Sequence, residues 1–402
     1  MTLFRDIRGA APTAGEVFGA LSKELEALRA ADLYRAPRVF EGRADRVVVK
    51  DGRELLCFAS NNYLGLTADE AVIQAASEAT LRYGTGSGAS RLVSGTMDLH
   101  VRLEEELASF EKTEAALLFG SGFAANLGTI TALVGPEDIV YTDRLNHASI
   151  IDGCRLSKAR LEIYAHADPD DLRNRLARNQ NQDPGRRRLI VTDGVFSMDG
   201  DLAPLPQILD LAEAYDAWVL IDDAHATGVI GPRGAGTAHH FGLDSPRLIR
   251  LGTLSKAFGG EGGFVAGPAI LIDYLRHKAR PFVFSTAPSP ATAATALKAL
   301  EIVRTEPHRR QRLHANAERL REGLRALGYT VPGYLTPILP VMVEDPGRAV
   351  ALSKALEERG VLAPAIRPPT VPYGTSRLRV TAMATHTDSD IDRALIAFRE
   401  VR

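Results

Sequence analysis

Leu248-Ile249-Arg250-Leu251-Gly252-Thr253-Leu254-Ser255-Lys256-Ala257-Phe258-Gly259-Gly260 is the stretch on which the fold of this chain turns. A short apolar run, 248–251, reads as a strand. It feeds into hydroxyls, then one lysine, then paired glycines. A lysine in an isolated Ser-Lys pair is a solvated surface charge. Between a buried strand and a glycine turn it is better placed to meet a ligand. An amine there can form a Schiff base with an aldehyde, and the flanking hydroxyls and backbone N–H groups can hold a phosphate.

Outward from that stretch the same pattern repeats. Residues 116–119, 139–141, 189–192, 218–221 and 263–266 are short apolar runs, and 205–215 is a helical stretch before one of them. Short continuous strands alternating with helices predict an α/β fold with a mostly parallel central sheet covered on both faces. Upstream, 13–34 reads as an amphipathic helix with Val17, Leu21, Leu25 and Leu28 on one face, and Thr13 and Glu16 at capping-box spacing. Residues 46–58 read as a hairpin turning at Asp51-Gly52. After Pro288-Ser289-Pro290 the character changes. Helices over 291–304 and 308–327, a strand over 338–343, a helix over 347–359, a strand over 377–381 and a capped helix over 387–399 predict a smaller α+β domain. The expected division is 1–58, a helix and hairpin segment; 59–290, a large cofactor-binding domain; and 291–402, the C-terminal domain.

Composition narrows the function classes. The 402 residues suffice for a large domain and a smaller one. A formal charge of −2 offers no basic excess for nucleic acid, so no nucleic-acid partner is expected. Two cysteines, Cys57 and Cys154, exclude a disulfide scaffold and fit a reducing cytoplasm. Residues 1–19 lack the apolar core of a signal peptide. The uncharged stretch 115–136 is long enough to span a bilayer, but Gly120, Gly122 and Gly128 interrupt it. It reads as a buried strand, turn and helix, and no membrane association is expected.

Candidate polar residues cluster at expected strand ends, where open parallel sheets bind ligands. Asp222 ends the run 218–222; alone it is as readily a cap on the next turn, but a carboxylate there can keep a pyridine nitrogen protonated. His225 lies three residues on. Asp-Asp-x-His is also a conceivable metal site, yet no further ligand cluster with metal spacing occurs, so no metal is expected. Gly120-Ser121-Gly122-Phe123-Ala124-Ala125-Asn126 follows a strand and opens a helix, a natural phosphate seat. It also fits the loose dinucleotide pattern G-x-G-x-x-A; a nicotinamide enzyme, though, has no need of Lys256. His147 alone is a structural histidine or a ring-stacking one. Ser197 is a turn serine or a hydrogen-bond donor to a ligand. Arg379 shares a strand face with Arg377 and is either solvated or a bidentate grip on a carboxylate. Gly84-Thr85-Gly86-Ser87-Gly88-Ala89-Ser90-Arg91 is a tight loop. An amine, a pyridine-facing carboxylate and a phosphate seat together suit pyridoxal 5′-phosphate (PLP).

Ser60-Asn61-Asn62-Tyr63-Leu64-Gly65-Leu66, Asn146-His147-Ala148-Ser149, Val195-Phe196-Ser197-Met198-Asp199-Gly200, Asp222-Asp223-Ala224-His225 and Thr253-Leu254-Ser255-Lys256 resemble, in order and spacing, the motifs of the α-oxoamine synthases, a family of fold-type I PLP-dependent transferases. The resemblance runs from about residue 60 to the C-terminus. It implies that Lys256 carries the Schiff base to PLP, that Asp222 pairs with the pyridine nitrogen, that His147 stacks on the ring, and that Ser197 and His225 contact its hydroxyl. Gly122, Phe123 and Thr253 would bind the phosphate, with Ser285 and Thr286 reaching it from the other subunit of a homodimer. Arg379 and Asn61 would hold the amino-acid carboxylate, Thr370 would lie near the substrate, and Arg35 would touch the acyl group. One departure is Ala89, where glycine is common. Ile366-Arg367-Pro368-Pro369-Thr370-Val371-Pro372 is most similar to members that join L-alanine to a pimeloyl thioester; sister enzymes take glycine or serine with other acyl thioesters.

Overall fold

The structure is a computed structural model that describes residues 13–30, 33–182 and 186–402. Two compact units, Met1–Glu41 and Gly42–Arg402, divide the chain. In the first, helices Ala14–Val17 and Gly19–Ala30 occupy the segment expected to be one amphipathic helix, and Val17, Leu21, Leu25 and Leu28 are exposed. Residues 1–12 and the Glu16 side chain of the expected capping box lie outside what is described.

The second unit opens with the expected hairpin. Strands β1 (Val47–Lys50) and β2 (Arg53–Cys57) pair antiparallel, with Lys50 opposite Arg53. The turn between them places Asp51 and Gly52 at φ 51° and 72°, the left-handed pair that matches strand twist in a two-residue hairpin.

The central sheet has seven strands: β3 (Ala115–Phe119), β4 (Ile139–Asp143), β5 (Arg160–Tyr164), β6 (Arg188–Asp193), β7 (Trp218–Asp222), β8 (Leu248–Thr253) and β9 (Gly263–Gly267). Their order is β3-β9-β8-β7-β6-β4-β5, parallel throughout except for β9, which runs antiparallel to both neighbours. Alternation along one strand shows why both faces must be covered. In β7, Leu220 packs with helices Gly122–Leu133, Ala148–Ser157 and Ala269–Lys278, whereas Val219 and Ile221 pack with Pro169–Gln182 and Leu205–Ala214. Buried on both sides, such strands read as unbroken apolar runs. The 115–136 stretch is β3 followed by helix Gly122–Leu133, and among the described residues no helix is long and apolar enough to cross a membrane.

Beyond helix Pro290–Thr305, helix Pro307–Ala326 leads to β10 (Ile338–Glu344), helix Pro346–Glu358, the short strands β11 (Val361–Leu362) and β12 (Ala365–Ile366), β13 (Ser376–Thr381) and helix Asp388–Glu400. The last helix is capped as its sequence suggested, with Thr387 accepting from the Asp390 N–H and Asp390 accepting from that of Thr387. A second sheet runs β10-β13-β12, all antiparallel, and β11 joins β2 in parallel to extend the hairpin. Leu339, Val341, Leu378 and Val380 of this region share one apolar cluster with Leu103, Leu107 and Phe110 of helix Asp98–Glu111 and Leu118 of the central sheet. Arg377 and Arg379 of β13 donate to the Met198 and Ser197 carbonyls just past β6, which sets β13 beside the carboxyl end of that strand.

Candidate active site

Two neighbouring strands end in register, Asp193 of β6 opposite Asp222 of β7, and β8 passes them with Leu251 opposite Asp222 to end at Thr253. Past Thr253 the chain bends back to β9. The hydroxyls of Thr253 and Ser255 both donate to the Gly262 carbonyl, at 2.9 and 3.1 Å, and close the loop from which Lys256 projects.

Lys256 begins a line of hydrogen bonds. Its Nζ lies 3.0 Å from Nε2 of His225, and Nδ1 of that ring is 2.6 Å from the Tyr63 hydroxyl. Tyr63 lies 3.3 Å from Asn61 Oδ1 and 3.5 Å from Arg379 Nη2. Arg379 also donates through Nη1 to Asn61 Oδ1 (3.1 Å) and through Nε to the Ser197 carbonyl (2.5 Å). Burial lowers the Lys256 pKa to about 8; Asp222 and Asp193 oppose the shift and Arg379 adds to it. His225 is driven well below the ordinary histidine value by burial and by the charges of Lys256, Arg379 and His147, and is therefore neutral. Burial holds the Tyr63 phenol protonated, against the pull of Arg379. The line thus joins an amine that can shed its proton to a guanidinium that cannot.

A second line supports Asp222. Asn126 donates both amide hydrogens, to Asp222 Oδ2 (2.6 Å) and to Ser149 Oγ (2.9 Å), and the Ala224 N–H caps Asp222 Oδ1 (2.9 Å). Ser149 Oγ lies 2.8 Å from His147 Nδ1, and the His147 N–H donates to Asp193 Oδ2 (2.7 Å). His147 caps helix Ala148–Ser157, and the residue as a whole is exposed. The protein packed around its ring still displaces enough water to lower its pKa, with Asp222 opposing and Lys256 assisting. Asp193 is raised well above the usual carboxylate range, by burial first and the charge of Asp222 next.

A third group is the open start of a helix beside the lysine loop. Ser121 caps helix Gly122–Leu133 by accepting from the Ala124 N–H (3.0 Å), which leaves the N–H groups of Gly122 and Phe123 in the first turn without an intrahelical acceptor. A Cβ at Gly122 would come within 3.5 Å of Thr253, and one at Gly263 would clash with the Gly122 N–H at 2.6 Å. Glycine at 263 is therefore what lets the helix start approach the lysine loop.

The structure thus brings Lys256, His225, Arg379, Asn61 and Ser197 into one line, Asp222 and His147 into another, and Gly122 and Thr253 together. Phe123 is exposed beside them. Ser285 and Thr286 are exposed on the loop after helix Arg280–Val283, where Thr286 bridges to Ser90; neither enters these hydrogen-bonded lines among the described residues. Thr370 is exposed, with its N–H on the Arg367 carbonyl. Arg35 is exposed in the N-terminal unit. Tyr63 and Asn126 were not singled out from the sequence, although both fall inside quoted motifs. For Asn126 a usable signal was its spacing of one helical turn from Gly122.

These residues fit PLP. Asn126 Oδ1 is buried beside Asp222 with no partner among the described residues, and His147, the Lys256 amine and the open helix start lie at the same strand ends. Lys256 would carry the aldehyde, Asp222 would face the ring nitrogen, and the start of helix Gly122–Leu133 with Thr253 would take the phosphate.

A family model described as aminotransferase class I and II matches residues 53–398. The 8-amino-7-oxononanoate synthase of Symbiobacterium thermophilum is 51% identical over 381 residues, covering 95% of this chain and 97% of its own. The 8-amino-7-oxononanoate synthase 2 of Bacillus subtilis is 46% identical over 381 residues, with the same coverage of each chain, 95% and 97%. Among solved structures, the Sphingomonas wittichii serine palmitoyltransferase superposes with a TM-score of 0.89 at 33% identity, covering 97% of this chain and 98% of that one. An 8-amino-7-oxononanoate synthase from Francisella tularensis gives 0.72 at 29% identity over 85% of this chain and 96% of its own. With a strand-end lysine, a carboxylate on the neighbouring strand and a glycine-opened helix start in one place, this chain belongs to the aminotransferase class I and II family, in the group of the 8-amino-7-oxononanoate synthases.

Proposed function

We propose that this protein catalyses the decarboxylative condensation of L-alanine with a pimeloyl thioester, releasing 8-amino-7-oxononanoate, carbon dioxide and the free thiol, a step in making biotin. The observation that carries the proposal is the line from Lys256 to Arg379. It joins an amine and a guanidinium at two ends of one hydrogen-bonded chain, which supports reading the first as a proton acceptor and the second as a carboxylate grip.

When bound, PLP supplies an electron sink for negative charge developing at the amino acid Cα. The protein supplies the rest. Lys256, with its pKa at about 8, takes the Cα proton and later returns one. Arg379, with Asn61 beside it, would grip the substrate carboxylate and so orient the bonds at Cα. Asp222, held by Asn126, would stabilise a protonated ring nitrogen. His147 would stack on the ring, Ser197 and His225 would meet its hydroxyl, and Gly122, Phe123 and Thr253 would hold the phosphate. Thr370 would lie near the substrate, and Arg35 is the candidate for a contact to the acyl group.

Ser285 and Thr286 complete the phosphate site of a second copy in a homodimer. Support comes from the apolar side chains around them: Leu92, Val93 and Phe284 are 54, 80 and 69% exposed on segments that the Ser90–Thr286 bridge brings together. The buried free thiols Cys57 and Cys154 suit a reducing cytoplasm. Residues 1–58, 59–290 and 291–402 serve as the N-terminal segment, the cofactor domain and the domain that carries Arg379.

The test is borohydride reduction of the PLP-loaded protein, digestion and mass spectrometry. A pyridoxyl adduct is expected on the Lys256 peptide, and its absence there would end the proposal. Carbon dioxide release is then compared with L-alanine plus pimeloyl-CoA and with glycine plus acetyl-CoA. Release with the second pair alone would assign the chain to a sister synthase such as glycine C-acetyltransferase.

A further inference from the structure

We propose that His166 is a positioning residue, a strut that sets the spacing between the loop carrying His147 and the loop carrying Ser197. The inference rests on the PLP reading above, since those two loops would hold the face and the hydroxyl of the cofactor ring.

His166 follows β5 and has no role assigned so far. Its Nδ1 lies 3.0 Å from Asp143 Oδ1 and its Nε2 lies 2.8 Å from Asp201 Oδ2. Carboxylates only accept, so a ring bonded to two of them donates from both nitrogens and is an imidazolium. Burial opposes that charge, but the bonds to Asp143 and Asp201 outweigh it and raise the pKa to about 10.

Each carboxylate is built into a different loop. Asp143 ends β4 and organises the turn toward His147: its Oδ1 accepts from the Leu145 N–H (2.8 Å) and its Oδ2 from that of Ala167 (2.8 Å). Asp201 closes the turn that contains Ser197, its carbonyl accepting from the Phe196 N–H at 3.0 Å. The imidazole ring also meets Phe196 edge-on, with centroids 4.4 Å apart and planes at 88°. On the far side the same turn is gripped by β13, through Arg377 on Asp199 and the Met198 carbonyl (2.5 and 3.1 Å) and Arg379 on the Ser197 carbonyl (2.5 Å). The Ser197 turn is thus held between two cations of β13 and one imidazolium. The imidazolium ties its Asp201 end to the His147 loop, whereas at its Asp193 end Asn146 and His147 bond the backbone and side chain of Asp193 directly. Without a cation between them, Asp143 and Asp201 would be two buried carboxylates facing a gap, and the spacing of the loops would rest on the Asp193 end alone.

The experiment titrates PLP into apoprotein carrying His166→Ala, His166→Gln or Asp201→Asn, reading the dissociation constant and the visible absorbance maximum alongside the melting temperature of the apoprotein. We expect His166→Ala and Asp201→Asn each to weaken PLP binding by about tenfold or more and to shift the absorbance maximum. The double variant should bind no worse than either single one, because both remove the same strut. His166→Gln, which keeps one donor, should recover part of the affinity. A folded His166→Ala protein with wild-type affinity and spectrum overturns the proposal. Should that variant not fold, nitrogen NMR of the wild-type apoprotein at pH 8 decides: two protonated ring nitrogens on His166 are expected, and one bare nitrogen overturns the strut. Absence of the Lys256 adduct in wild type defeats the PLP reading, whereas an adduct with unchanged affinity in His166→Ala defeats the strut alone.

Discussion

His225 and His166 are both enclosed at the carboxyl edge of one sheet, yet they sit at opposite ends of the protonation scale. His225 meets an amine and a phenol and is surrounded by Lys256, Arg379 and His147, which together with burial keep it neutral. His166 meets two carboxylates and stays cationic. Burial alone lowers a histidine pKa in both places; the charge of the first neighbours decides the sign. The neutral ring belongs to the line that would move a proton. The charged ring belongs to the frame that would hold the loops still.

The largest expected effect comes from removing the amine at the neutral end. Lys256→Ala should lower turnover by roughly 10⁴-fold or more, since proton transfer loses its base, while leaving measurable PLP binding; turnover within tenfold of wild type would break the assignment. Next, Asp143→Asn strips one carboxylate from the charged ring. Breaking a buried ion pair costs about 3 kcal/mol, and urea unfolding of the apoprotein should show a loss of that order at pH 7.

Stability against pH sharpens the contrast further. His166 has a raised folded pKa, so its contribution is complete below the unfolded value of 6.5 and is lost as pH rises through about 10. His386 shows the reverse. Buried, donating to the Cys57 carbonyl and accepting from the Met383 N–H, it is lowered to about 4. Its contribution is present above 6.5 and is lost as pH falls toward 4. Denaturation midpoints at pH 4, 7 and 10 should therefore fall on both sides of neutrality. Asp143→Asn should flatten only the alkaline limb, and a matching change on the acid limb would contradict it. The smallest effect is expected at Asn126→Ala. Asp222 would keep its Ala224 cap and lose one hydrogen bond, worth about 1–2 kcal/mol, which PLP titration should register as roughly a tenfold loss of affinity.

What the sequence made legible follows from how local each feature is. Lys256 and Asp222 could be recognised because each sits at the end of a buried strand, and such strands announce themselves as apolar runs. β5 escaped notice because, as the edge strand, it is not a buried apolar run: Arg160 at its start and Ile163 are exposed, and one of its two buried residues, Glu162, is charged. β11 and β12 are two residues long and have no period to detect. The strut was illegible for another reason. His166 lies 23 residues from Asp143 and 35 from Asp201, and nothing in the string 164–168 indicates which carboxylates it will meet. Asn126 reaches Asp222 across 96 residues. The chemistry could be named from motifs; the hydrogen-bond partners that tune it had to come from the fold.

The single antiparallel strand of the central sheet has a consequence for how the protein comes together. Because β9 turns straight back on β8, with Thr253 opposite Gly263, the loop holding Lys256 is closed by contacts between near neighbours in the chain. Closing so short a segment forfeits little chain entropy, and locally wired segments tend to assemble before distant ones. During refolding of the apoprotein, amides in 253–263 should gain protection from hydrogen exchange ahead of those linking Asn126 to Asp222. The nitrogen that is to capture the vitamin would then be seated while its pocket is still being built around it.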